Sequence, residues 1–194
     1  MASTISREKP ALQFLEPKKK VGLIVVLTGH GKGKTTSALG MALRAAGHGM
    51  KVCIVHFMKG DMYAGELDGI RKLEPNVEIH LTGKGFCGIQ GNPYPYEEHR
   101  ANAQDAVRIA REKILSGAYD MVVLDEVNNA VHLKLVDLPQ VIELIDAKPL
   151  LMHLVLTGRD AHHDVIDRAD TVTEMREIKH AHRRDIEPQK GVDY

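Results

Sequence analysis

The run Thr28-Gly29-His30-Gly31-Lys32-Gly33-Lys34-Thr35-Thr36 restricts what this chain can be more than any other segment. Before it lies a continuous apolar, β-branched stretch, Leu23–Leu27, and after it a helix-compatible stretch from about Lys34 to Ala46. An unbroken apolar run bounded by glycine reads as a strand buried on both faces of a parallel sheet. Small residues let the loop curl until successive N–H groups point into one concavity, a nest for phosphate oxygens. The helix start adds the positive end of its dipole. Lys34 brings a mobile ammonium, and the Thr35 hydroxyl is placed to ligate magnesium. The general pattern G-x-x-x-x-G-K-[ST] opens on Gly, whereas here that place is Thr28. A flexible glycine turn with an incidental lysine would not explain the strand before and the helix after. The segment is read as a nucleotide site.

Further strands are expected at Val52–Phe57, Val77–Leu81 (the weakest), Met121–Leu124, His153–Leu156 and Thr171–Met175. Between them, 97–116 reads as an amphipathic helix with Ala103, Val107, Ala110 and Ile114 on one face, and Leu138–Ile145 as another. Strands alternating with helices imply a three-layer α/β domain around a mainly parallel sheet. That domain should span 21–194, preceded by a polar arm, 1–20, that ends in Lys18-Lys19-Lys20 and is either a tail or a segment ordered by a ligand or partner.

A phosphate loop needs a carboxylate at the end of a neighbouring strand. Met121–Leu124 delivers Asp125 and Glu126 to the sheet edge where ligands bind in such folds, and either acid could hold Mg2+. A helix-capping pair is the plain alternative. Acidic and basic residues balance at 26 each, which argues against a protein that works by neutralising a nucleic-acid backbone. No apolar run reaches bilayer length, the N-terminus lacks a signal-peptide core, and Cys53 and Cys87 make no disulfide framework. A cytosolic protein with no membrane partner is expected.

Nucleotide binding does not name a reaction. The segments Thr28–Thr36, Arg44–Gly49, Phe57-Met58-Lys59-Gly60, Gly65-Glu66, Gly85-Phe86 and Val122–Glu126 occur in an order that resembles the P-loop class of cob(I)alamin adenosyltransferases. So do Thr157-Gly158-Arg159, Asp164, Ala169–Val172, Lys179-His180-Ala181 and Gly191–Tyr194. The resemblance implies a RecA-like fold, a homodimer, a flavoprotein as reductant, and ATP and a corrinoid as substrates. The 5′-deoxyadenosyl group would pass from ATP to cobalt, leaving triphosphate. ATP would lie reversed along the loop, with Gly29, His30, Gly31, Lys32, Gly33, Lys34, Thr35 and Thr36 as its cradle. Arg44, Lys59 and Arg159 would be further nucleotide contacts, and Thr35, Asp125 and Glu126 metal ligands. Phe86 would help displace the lower axial ligand of cobalt. A generic P-loop ATPase or kinase, and a nucleotide-dependent corrinoid carrier, are the rival readings.

Two places depart from the family pattern. His30 stands where Asn is commoner, and Gly88 stands where the family carries a tryptophan; this chain has no tryptophan at all. Phe86 is therefore either the remaining wedge or plain packing, with Ile89, Tyr94 and Tyr96 as substitutes. His162-His163 and His180-x-His182 read as surface or hydrogen-bonding histidines and not as a structural metal site. Arg159 could grip phosphate or pair with Asp160 or Asp164.

Overall fold

A computed structural model of the chain describes residues 17–60, 63, 65–85 and 93–194. Six strands form one sheet: β1 (Ile24–Thr28), β2 (Val52–His56), β3 (Val77–Leu81), β4 (Met121–Asp125), β5 (His153–Thr157) and β6 (Thr171–Glu174). Their order is β3-β2-β4-β5-β1-β6, and every pairing is parallel. β5 thus stands between the strand that carries the phosphate loop and the strand that carries the acids, a RecA-like arrangement.

The helices are α1 (Lys34–Gly47), α2 (Gly65–Arg71), α3 (Tyr96–Leu115), α4 (Val127–His132), α5 (Leu138–Asp146) and α6 (His163–Ile166), followed by a 3-10 turn at Ala181–Arg184. Alternate strand residues feed two cores. Cys53, Val55, Val122 and Leu124 pack toward Ala103, Ala106, Ala110 and Ile114 of α3. Val52, Ile54, Met121 and Val123 pack toward Ala38, Ala42 and Ala45 of α1. Alanine on both helices lets them lie close to the sheet, and each fully buried Val or Leu contributes about 1.5–3 kcal/mol. On α3 Ala106 is buried, whereas Val107, expected on the inner face, is only half-buried.

Strands buried on both faces gave continuous apolar runs, and all six strands begin and end within one residue of the expected bounds. β6 pairs with β1 at the sheet edge, and all four of its residues are exposed. α2, α4 and α6 have no periodic apolar stripe of their own; α2 buries only Ile70. The expected arm falls largely outside the described residues, and Lys18, Lys19 and Lys20 are exposed. Among the described residues no helix is long and apolar enough to cross a membrane.

Candidate functional site

β1 ends at Thr28, and the chain then turns over the sheet edge into α1. The turn is held by the next segment past β6: Gly31 N donates to Met175 O at 2.6 Å. A Cβ on Gly31 would stand 2.7 Å from that same oxygen, so the close backbone approach requires glycine. Lys34 Nζ folds back along the loop, donating to Gly29 O at 2.7 Å and Gly31 O at 2.8 Å. Burial and then the nearby Arg159 charge lower the Lys34 pKa, against the opposing pull of Glu126, Asp125 and Asp160. The ammonium is therefore poised next to the loop carbonyls, with cationic company that an anionic ligand would relieve.

The acid side is built from three strand ends and the first turn of α1. Asp125 closes β4 and is almost wholly buried. Thr157 Oγ1, at the end of β5, donates to its Oδ1 at 2.6 Å, and Thr35 Oγ1 reaches its two oxygens at 3.0 and 3.3 Å. His56 Nδ1, at the end of β2, lies 2.8 Å from Oδ2 as an ion-pair contact, neither ring nitrogen making an aligned hydrogen bond. Burial alone would raise the Asp125 pKa; the His56 contact and charge, Thr157 and Lys59 outweigh it and hold the carboxyl below its usual value.

Glu126 follows in left-handed backbone (φ 63°, ψ 18°), a conformation that costs a non-glycine residue on the order of 1–3 kcal/mol. It occupies the N-cap position of α4, yet its side chain makes no capping bond. Instead its N–H donates to Thr157 Oγ1 at 2.9 Å, so that one hydroxyl orients both acids. Burial and then the Asp125 charge push the Glu126 pKa up to about 7, and its Oε2 is buried without a protein partner. An orphaned carboxylate oxygen beside the Thr35 hydroxyl and Asp125 is the hard oxygen donor set that Mg2+ takes.

These groups open on one cleft of about 740 Å³. Lys32, Gly33, Lys34, Thr35 and Thr36 form one wall, Glu126, Asn129, Thr157 and Arg159 another. Lys59 closes a third side with Glu66, at 3.2 Å; burial lowers its pKa, but Asp125, Glu126 and Glu66 together raise it above the ordinary value. The main chain of Arg159 is pinned by its N–H to Asn129 Oδ1 at 2.7 Å, and among the described residues its guanidinium makes no ion pair. Asp160 turns away to His30, at 3.2 Å. At the edge of the cleft the loops after β2 and β3 touch through glycine: a Cβ on Gly60 would come 1.4 Å from Gly83 O. Thr82 Oγ1 adds a bond to His56 O at 2.7 Å.

Of the residues singled out in the sequence, Lys32 through Thr36, Lys59, Glu126 and Arg159 share this cleft. Asp125 lies beneath it, behind Thr35. Gly29 and Gly31 contribute the carbonyls that hold Lys34, and the exposed His30 side chain faces Asp160. Arg44 stands in the last turn of α1, outside the cleft lining and roughly 13 Å along the helix from Thr35. Phe86, Cys87, Gly88 and Ile89 fall outside the described residues. Tyr96 starts α3 with its hydroxyl donated to Lys134 O at 2.8 Å, and Tyr94 packs edge-on against His99. His162 Nδ1 caps α6 and His180 Nδ1 caps the 3-10 turn. His56, Glu66 and Thr157 were not expected as site residues. His56 and Thr157 carry a signal that could have found them: each is the polar residue that ends an apolar strand run, as Asp125 does. Glu66 has none.

The chain matches the family model for ATP:corrinoid adenosyltransferase BtuR/CobO/CobP over residues 20–194. It is 40% identical to a corrinoid adenosyltransferase of Pseudomonas aeruginosa over 182 residues, covering 94% of this chain and 88% of that one. It is 37% identical to the corrinoid adenosyltransferase CobA of Salmonella typhimurium over 189 residues, covering 97% and 93%. Among solved structures, a KaiC-like protein, PH0186, from Pyrococcus horikoshii is 17% identical with a TM-score of 0.47, covering 83% of this chain and 76% of that one.

Proposed function

Because the chain belongs to the ATP:corrinoid adenosyltransferase family, we propose that its cleft seats ATP so that C5′ of the ribose faces the cobalt of a reduced corrinoid. The observation that supports this most is the convergence of Lys32, Lys34, Lys59 and Arg159 on one cleft with Thr35 and Glu126. In the reaction the cobalt electron pair forms the bond to C5′ while the C5′–O bond breaks, and triphosphate leaves with its charge. The nucleophile is already strong, so no protein base is needed. The protein's part is alignment and neutralisation of the leaving group, each worth several kcal/mol. Four cations lining one cleft suit that task. A kinase would need a base or aligner for a hydroxyl acceptor.

Mg2+ held by Thr35 and Glu126, with Asp125 behind Thr35, would screen the same triphosphate. The cradle roles of Gly29 to Thr36, the nucleotide role of Arg44, and Phe86 as the residue that displaces the axial ligand belong to this proposal. A homodimer, a flavoprotein reductant and cytoplasmic residence belong to it as well.

The test is anaerobic incubation with ATP, magnesium and chemically reduced cobalamin. The expected result is the absorption spectrum of an adenosylated corrinoid with one triphosphate released per transfer. ADP and phosphate with an unchanged corrinoid spectrum would make the chain an ATPase. Binding of both ligands with no new product would make it a carrier.

A further inference from the structure

The residues that close the described chain form a turn of their own against the phosphate loop. Asp193 N donates to Gln189 O at 2.8 Å, Val192 N to the same oxygen at 3.1 Å, and Gly191, at φ 77°, donates its N–H to Tyr194 O at 2.7 Å. The Asp193 carboxylate is divided between two duties. Its Oδ2 accepts from Gln189 N at 2.8 Å and locks the turn, while its Oδ1 lies 2.8 Å from Lys32 Nζ. Gly191, Val192, Asp193 and Tyr194 line the same cleft as Lys34, Thr35 and Glu126. On the far side the Tyr194 backbone comes up against Gly65, the first residue of α2.

We propose that Asp193 is a tethered anion that competes with the polyphosphate of the nucleotide for Lys32. The inference rests on the reading that triphosphate lies along the loop. A carboxylate and a phosphate present the same chemistry to an ammonium, a charged oxygen acceptor. Lys32 has three donors and could bridge both groups, so geometry does not decide; charge does. An anion fixed beside a polyphosphate repels it and cancels part of what Lys32 contributes. Both partners of the pair are partly exposed, at 43% and 26%, and a pair of that kind is weak enough to yield to a multiply charged ligand. The Gln189 N–H bond, and then Lys32, hold the Asp193 pKa below its usual value, so the competitor stays charged at neutral pH. Its effect should be largest on the free triphosphate product, which carries no adenosine to anchor it elsewhere, and it should hasten the release of that product.

The experiment is calorimetric titration of inorganic triphosphate into the full chain as wild type, Asp193→Asn, Asp193→Glu, Lys32→Ala and the Lys32→Ala/Asp193→Asn double variant. Asp193→Asn should bind roughly three- to tenfold more tightly, as removal of one repelling charge at a partly exposed site predicts. Asp193→Glu should stay near wild type, and the gain should shrink when Lys32 is absent, because direct repulsion alone then remains. Unchanged or weaker binding by Asp193→Asn, with Lys32→Ala weakened, would overturn the proposal and make Asp193 a clamp that positions Lys32. A gain of the same size with and without Lys32 would overturn it too, since Asp193 would then not act through Lys32. Failure of the wild type to bind triphosphate, or equal binding by wild type and Lys32→Ala, would instead overturn the reading of the loop itself. The turn is exposed, and circular dichroism of each variant checks that the fold is kept.

Discussion

His56 Nδ1 stands 2.8 Å from Asp125 Oδ2, and both side chains are about 1% exposed. The two residues face each other across adjacent strands, paired in register at the ends of β2 and β4. Asp125 is thereby gripped from three directions, by Thr157, Thr35 and the imidazole, and its orientation is fixed before any ligand arrives.

Replacing His56 by Phe keeps an aromatic ring but removes the polar partner of a buried carboxylate. The expected loss of stability is about 1–3 kcal/mol, read as a lower urea midpoint with an unchanged slope. His56→Gln, which keeps an N–H donor, should lose less than half as much. Equal losses would show that packing, and not the contact with Asp125, is what the ring supplies.

Lys34→Ala removes the ammonium that the loop carbonyls now hold. Loss of one such charge-assisted contact to a developing anion costs about 2–4 kcal/mol, or roughly a 30- to 900-fold fall in kcat/KM. A steady-state assay that follows corrinoid adenosylation measures it. Activity near wild type would mean that the triphosphate lies elsewhere.

For Glu126→Gln, stability and activity should move in opposite directions. The side chain is half-buried with one oxygen buried and unpartnered, and it sits beside Asp125, so a neutral amide should raise stability by about 1 kcal/mol at pH 8. The magnesium concentration for half-maximal activity should rise at least tenfold, by an estimate of one lost charged ligand. Thermal unfolding and a magnesium titration on the same preparation give both numbers.

Gly31→Ala tests the contact between loop and Met175. The added methyl meets a carbonyl oxygen of the backbone and not a flexible side chain, so the loop must move and the 2.6 Å bond from Gly31 N must stretch. The expected result is a melting temperature lower by several degrees, the shift produced by about 1–3 kcal/mol in a domain of this size, together with loss of nucleotide binding.

Glu78 gives a pH signature away from the cleft. Partial burial pushes its pKa up, but hydrogen bonds from Lys113, Tyr119 and His80 and the Lys113 charge outweigh that and bring it down to about 2. A carboxyl whose folded pKa lies below its unfolded value stabilises the fold above the unfolded pKa, near 4.5. That contribution fades as the pH falls from there toward 2. Glu78→Gln should therefore be less stable than wild type at pH 7, with the gap closing between pH 5 and pH 2. The group is 40% exposed, so solvent screening keeps the gap small. Urea midpoints at stepwise pH follow it.

The strands and the phosphate loop were readable because their causes are local. A strand buried on both faces has to be apolar throughout, as at Val52–Val55, and a backbone that closes on Met175 has to be glycine at 31. α2 and α4 were not readable: each is short, and its place is set by what it packs against. The cluster around Asp125 was half readable. Asp125 and Glu126 stood out beside the loop motif, whereas His56 and Thr157 join them only because strand order sets β2 and β5 on either side of β4. No local pattern encodes that order. Asp193 and Lys32 lie more than 150 positions apart, and nothing in either neighbourhood announces the pair.

The contact between Gly60 and Gly83 leaves no side chain between two loops that do different jobs. One carries Lys59 toward the cleft; the other leads, three residues after Gly83, to Phe86. With backbone resting directly on backbone, the two cannot close further, and the Thr82 bond to His56 O resists their parting. A shift in either loop is thus handed to the other with almost no slack. The offset between Lys59 and the loop after β3 is then held like the span of a caliper, whose pivot is the absence of two methyl groups.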